Sequence, residues 1–182
     1  MRAATTNYLN TARQPLPDDL YPIALELGVR LGFRPSALQI LRDVARYHDI
    51  GKSAIPSQIL QKPAALDENE RQFVREHPEI GARMLMIDAG TAHLSQLVRS
   101  THERWDGAGY PDQLKGEKIP LESRVIAICD AFMAMTSPRP YRATRGVNEA
   151  LSEITREAGG QFDPVLAEEF RFMMLVAEQR VA

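Results

Sequence analysis

The chain has 182 residues, 44% of them hydrophobic, a formal net charge of −2 and one cysteine. That suffices for one globular domain with a real core. The near-neutral balance argues against a protein that coats a nucleic-acid polymer by counterion release, and a lone Cys129 rules out an intrachain disulfide or a cysteine-rich zinc site. No apolar run approaches the roughly 20 residues that span a bilayer, and MRAATTNYLNTARQ lacks a secretory h-region, so a cytoplasmic protein outside the membrane is expected.

Residues 1–15 are small and polar and read as a loose tail or a short extra helix; one helical domain is expected over 16–182. The spacing of Leu20, Ile23, Ala24, Leu27 and Leu31 predicts a helix over 18–31, with Asp18 and Asp19 at its N-terminus. A second helix is predicted over 36–47, opened by Ser36, with Leu38, Leu41, Val44 and Ala45 on one side. IPSQILQKPAAL, with two prolines, reads as a loop with at most a helical turn. Asp67 and Glu70 have the spacing of a capping box, and Pro78 suits the first turn of the next helix. A further helix is predicted from about Thr91 to His102, followed by the glycine-rich loop ERWDGAGYPDQLKGEKIP. Pro120 opens a long apolar helix, and two more are expected over 147–158 and 165–180. No segment reads as a strand, so the fold class is all-α.

ARYHDIGKSAIP raises a chemical question, because His48, Asp49 and Lys52 gather where an apolar segment stops. A glycine C-cap at Gly51 is one reading. A metal site is the other, since neutral imidazole and carboxylate both suit divalent first-row metals. Of four histidines, His48, His77 and His102 fall at helix ends, where converging helices can aim them at one point; His93 lacks such neighbours and reads as structural. Asp130 sits in an otherwise apolar helix, where a carboxylate is costly unless paired or bound to metal. Lys52, Arg139 and Arg142 flank these candidates, and guanidinium forks suit phosphate oxygens. Metal ligands beside phosphate-binding cations point to metal-assisted phosphodiester hydrolysis.

The ordered motifs HDIGKSAIP, HPEIGARML, HERWDGAGYPDQLKGEKIP, RVIAICDAF, RPYR and GGQFDP closely resemble the HD-GYP family of the HD superfamily, from about residue 36 to 170. The resemblance implies an all-helical, metal-dependent phosphodiesterase that opens cyclic di-GMP to pGpG and on to GMP. It implies His48 and Asp49 as metal ligands, with Asp49 bridging two ions, Asp130 on the first and His77 and His102 on the second. Lys52 would contact the scissile phosphate or help protonate the leaving oxygen. Gly109, Tyr110 and Pro111 would line the cleft, and Arg139 and Arg142 would hold ligand phosphates. The loop argues against another HD phosphohydrolase such as a nucleotidase.

Several positions depart from the family pattern. Thr101 stands where a histidine is usual, Leu16 and Ala12 fall where a His and a Glu are expected, and Met133 replaces an aspartate. Asp18 or Asp19 is a candidate substitute, although a helix cap suits them better. Fewer ligands imply incomplete occupancy by a divalent metal of the Fe, Mn, Ni or Zn kind, one ion or none rather than three. Two readings therefore stand: a working phosphodiesterase with an altered metal site, or a degenerate domain that serves as a cyclic di-GMP receptor or protein-interaction module. Cyclic di-GMP or pGpG is the expected ligand in both, with a diguanylate cyclase domain as a candidate partner.

Overall fold

A computed structural model describes residues 20–137 and 144–179. Among these residues the secondary structure is helical, apart from an isolated bridge between Ala158 and Phe162. Leu16, Ala12, Asp18, Asp19, Arg139 and Arg142 lie outside the described residues.

Helix α1 spans Tyr21–Arg30 and buries Ile23, Ala24 and Leu27. Helix α2 spans Pro35–Tyr47 and buries Leu41, Val44 and Ala45. Its opening is set by Pro35, not by Ser36: proline pre-sets the helical φ and lacks an N–H that the first turn would leave unpaired. A 3-10 turn over Ile50–Ala54 and the short α3 (Ser57–Leu60) follow. Helix α4 (Glu68–Arg75) begins with a full capping box between Asp67 and Glu70. Helix α5 covers His77–Leu85, with Pro78 in its first turn.

The single helix expected over 91–102 is broken. A 3-10 turn (Ala92–Leu94) runs into α6 (Ser95–Arg99), and the chain turns before His102. At this end Ser100 Oγ donates to Gln96 O at 3.0 Å and Thr101 Oγ1 to Val98 O at 2.9 Å.

Helix α7 (Leu121–Thr136) is the hub. Val125, Ile126, Ile128, Cys129, Phe132, Met133 and Met135 are buried in the core, packed among α1, α2, α6, α8 (Val147–Arg156) and α9 (Pro164–Gln179). Phe132 meets Phe170 of α9 edge to face, with centroids 5.3 Å apart. Cys129 is fully buried, as an apolar core thiol should be. Met133, where the family pattern has a carboxylate, belongs to this core. No helix among the described residues is long and apolar enough to cross a membrane.

Candidate metal centre and cleft

Two glycines bring the first two histidine motifs together. A Cβ on Gly51 would lie 2.0 Å from His77 O and 2.6 Å from Gly81 N. The turn after Asp49 therefore lies directly on the backbone of α5, an approach that only glycine permits. Gly51 is not among the positive-φ glycines, so the left-handed cap reading is incorrect. What Gly51 supplies is proximity, and it sets Asp49 beside His77.

Both imidazoles are oriented by carbonyls in the last turn of the helix that precedes them, α2 for His48 and α4 for His77. His48 Nδ1 lies 2.8 Å from Ala45 O, and His77 Nδ1 lies 2.7 Å from Val74 O. A carbonyl can only accept, so each Nδ1 carries a proton. In the neutral ring Nε2 is then left with a free electron pair, the arrangement that suits a metal ligand. His77 Nε2 lies 3.0 Å from His102 Nε2 and 3.4 Å from Asp49 Oδ1. Together Asp49, His77 and His102 offer three ligand atoms within 4.8 Å of one another.

The protonation of this group favours a cation. Burial alone would push the Asp49 carboxyl up, but His77, His48 and Lys52 together hold it well below the usual carboxylate range. Burial, reinforced by His77, pushes His102 down to about 3, so it is neutral at pH 7. Asp49 Oδ1 is buried without a hydrogen-bond partner among the described residues. An orphaned carboxylate oxygen facing two imidazole nitrogens is costly as it stands. A divalent ion satisfies all three donors, so the residues present fit a metal.

The other side of Asp49 is occupied differently. Lys52 Nζ contacts Oδ2 at 2.6 Å, and His48 Nε2 lies 3.5 Å from the same oxygen. His48 Nε2 is also 3.9 Å from Asp130 Oδ1. His48, Asp49, His77, His102 and Asp130 are thus linked in one chain of contacts from four segments. Thr101 stands apart, because its hydroxyl is bonded to its own turn.

The glycine-rich loop is anchored to the same place. A Cβ on Gly109 would lie 2.3 Å from Arg104 N, so the loop presses on the backbone that carries His102. Tyr110 N donates to His102 O at 3.2 Å, and the two rings stack at 5.3 Å, only 3° from parallel. Glu103, buried next to His102, accepts from Asp112 N at 2.7 Å and Leu114 N at 3.1 Å. That carboxylate closes the loop from inside and was not singled out from the sequence. The signal available was a Glu between His102 and Arg104 ahead of a glycine-rich loop.

The GGQFDP motif supports the loop from the far side. Trp105 N and Asp106 N donate to Gln161 O and Gly160 O at 3.1 and 2.9 Å. Asp163 accepts from Val165 N at the start of α9 and pairs with Arg124 at 2.6 Å. Arg124 in turn lies 5.6 Å over the Trp105 ring.

A cleft of about 910 Å³ opens beside the centre, lined by His102, Gly109, Tyr110, Pro111 and Asp130 among others. Its rim is rich in carboxylates, including Glu76, Glu79, Glu153 and Glu157. An anionic ligand entering here needs compensating positive charge.

An HD-domain family model matches residues 5–166. The chain belongs to the HD-domain family, in its HD-GYP branch. Among curated HD-GYP relatives, the chain is 39% identical over 141 residues to the cyclic di-GMP phosphodiesterase response regulator RpfG of Xanthomonas campestris pv. campestris, which covers 74% of this chain and 36% of that protein. It is 37% identical over 155 residues to a cyclic di-GMP phosphodiesterase of Vibrio cholerae, covering 81% of this chain and 31% of the relative. The chain thus spans about a third of the length of these relatives. A solved HD-GYP structure from Bdellovibrio bacteriovorus shares the fold with a TM-score of 0.70 at 16% identity, over 86% of this chain and 50% of that one.

Proposed function

We propose that the chain is a metal-dependent phosphodiesterase domain that opens cyclic di-GMP to pGpG and on to GMP. The convergence of Asp49 Oδ1, His77 Nε2 and His102 Nε2 beside the cleft carries this reading. Relatives at 37–39% identity that bear the name of this activity support it. At about 910 Å³ the cleft lies near the upper end of ordinary ligand pockets. None of the relatives named above points to a diguanylate cyclase partner, and the proposal does not include one.

Asp49, His77 and His102 would hold the ion, with His48 and Asp130 flanking it. Held there, a divalent ion of the Fe, Mn, Ni or Zn kind supplies Lewis acidity to phosphate oxygens and lowers the pKa of water. The chain's own contribution is orientation and charge. The carbonyls of Ala45 and Val74 fix the imidazoles of His48 and His77 in the ligand tautomer. After His77 and His48, Lys52 helps keep Asp49 ionised, and it holds an ammonium beside the centre, in reach of a scissile phosphate or a leaving oxygen. Gly109, Tyr110 and Pro111 form the wall against which the ligand lies. Arg139 and Arg142, in the RPYR motif, would contact ligand phosphates.

Incubation of metal-loaded protein with cyclic di-GMP, followed by separation of nucleotides, tests the reading. The expected product is pGpG, lost on Asp49→Asn. Intact cyclic di-GMP after prolonged incubation with each of the four metals would reject the activity.

A further inference from the structure

The cleft holds three arginines among its described lining residues, and their surroundings differ. Arg104 is bonded to Asp106 at 2.7 Å and lies 3.8 Å from Glu157. Arg145 is paired with Glu153 at 3.0 Å. Lys52, beside the centre, is held by Asp49. Arg75 takes part in no ion pair among the described residues. Its guanidinium lies 5.7 Å from the Tyr110 ring centroid, and Tyr110 is stacked on His102. Arg75 is thus an exposed cation over an aromatic ring, in no ion pair among the described residues, and that ring is stacked on the candidate metal ligand His102.

We propose that Arg75 binds a phosphate of the cyclic dinucleotide, namely the one that is not cut. This rests on the phosphodiesterase reading above. The reacting phosphate belongs at Asp49, His77 and His102, whereas Arg75 lies over the ring of Tyr110, on the cleft wall. A cyclic dinucleotide carries two phosphates, and the second must find positive charge in a cleft rimmed by carboxylates. A guanidinium over the Tyr110 ring offers a phosphate two donors at once, and the cation–π contact leaves it less freedom to lose on binding.

The test compares cyclic di-GMP with bis(p-nitrophenyl) phosphate, which has a single phosphate. Metal-loaded wild type, Arg75→Ala and Arg75→Lys are assayed on both, with calorimetric affinity for cyclic di-GMP as the binding readout. Loss of a charge-assisted contact predicts that Arg75→Ala weakens cyclic di-GMP affinity by about ten- to a hundredfold, with Arg75→Lys intermediate. The loss of kcat/KM should be much smaller on the one-phosphate substrate. Equal losses on both substrates would mean that Arg75 only positions Tyr110 and His102, which overturns the proposal. Unchanged affinity in Arg75→Ala would overturn it as well, with the phosphodiesterase reading left standing. A wild type that neither binds nor cuts cyclic di-GMP overturns both.

Discussion

His77 Nε2 and Asp49 Oδ1 lie 3.4 Å apart, with the Nδ1 side of the imidazole turned away to Val74 O. The imidazole proton sits on Nδ1, spent on Val74 O, and the carboxylate is strongly acidic in its setting. With His102 Nε2 3.0 Å from His77 Nε2, three electron pairs are turned on one small space. Helix ends and close-packed glycines hold them there, and a cation resolves the repulsion.

The contact that builds this geometry is exposed to a simple substitution. In Gly51→Ala the new methyl meets the His77 carbonyl and the Gly81 amide, both backbone atoms that cannot move aside. Overpacking of this kind costs about 1–3 kcal/mol. Urea unfolding should show that loss of stability, and metal affinity should fall with it because Asp49 moves relative to His77. An unchanged midpoint and unchanged metal content would mean that the turn does not need glycine.

A substitution inside the loop should act on the cleft wall. Glu103→Ala removes the acceptor for the Asp112 and Leu114 amides. A net hydrogen bond to a charged acceptor contributes about 1.5–3 kcal/mol. A clear drop in thermal stability is expected, together with faster amide exchange at residues 112–114. Full retention of both would show that water replaces the carboxylate without loss.

Lys52 separates holding metal from using it. In Lys52→Met the ammonium on Asp49 Oδ2 is gone while Oδ1, His77 and His102 keep their places. Metal content should therefore be retained. Turnover of cyclic di-GMP should fall by about a hundredfold or more, the usual scale for loss of one proton donor or charge-stabilising group at a reacting centre. Loss of metal in this variant would recast Lys52 as a support of the ligand set.

Much of the helical framework is legible in the sequence because it rests on local signals. Leu41, Val44 and Ala45 recur at helical spacing, Asp67 and Glu70 form the capping box that their spacing announces, and Pro78 and Pro120 mark helix starts. The break of the 91–102 helix is not legible in the same way. There Ser100 and Thr101 bond back to Gln96 O and Val98 O as the chain leaves the helix, and periodicity does not register where that happens. Gly51 looks like a cap because its partner, the backbone of His77, is far away in sequence. His48, Asp49, His77, His102 and Asp130 could be named as candidates from residue type and helix-end position. That Asp49 presents one oxygen to the histidine pair and the other to Lys52 required coordinates. Arg75 carries no local signal at all, being one charge on a polar helix until Tyr110 is placed beneath it.

Metal content of protein purified without chelator, read beside cyclic di-GMP hydrolysis, tests the centre most directly. With Lys52 on one oxygen of Asp49 and the two histidines on the other, about one tightly bound ion per chain is expected, as befits a single set of three ligands. His77→Ala and His102→Ala should each lower that content and abolish pGpG formation together. A chain that binds no divalent metal yet still cuts cyclic di-GMP in excess chelator, or one that holds three ions, would contradict the account.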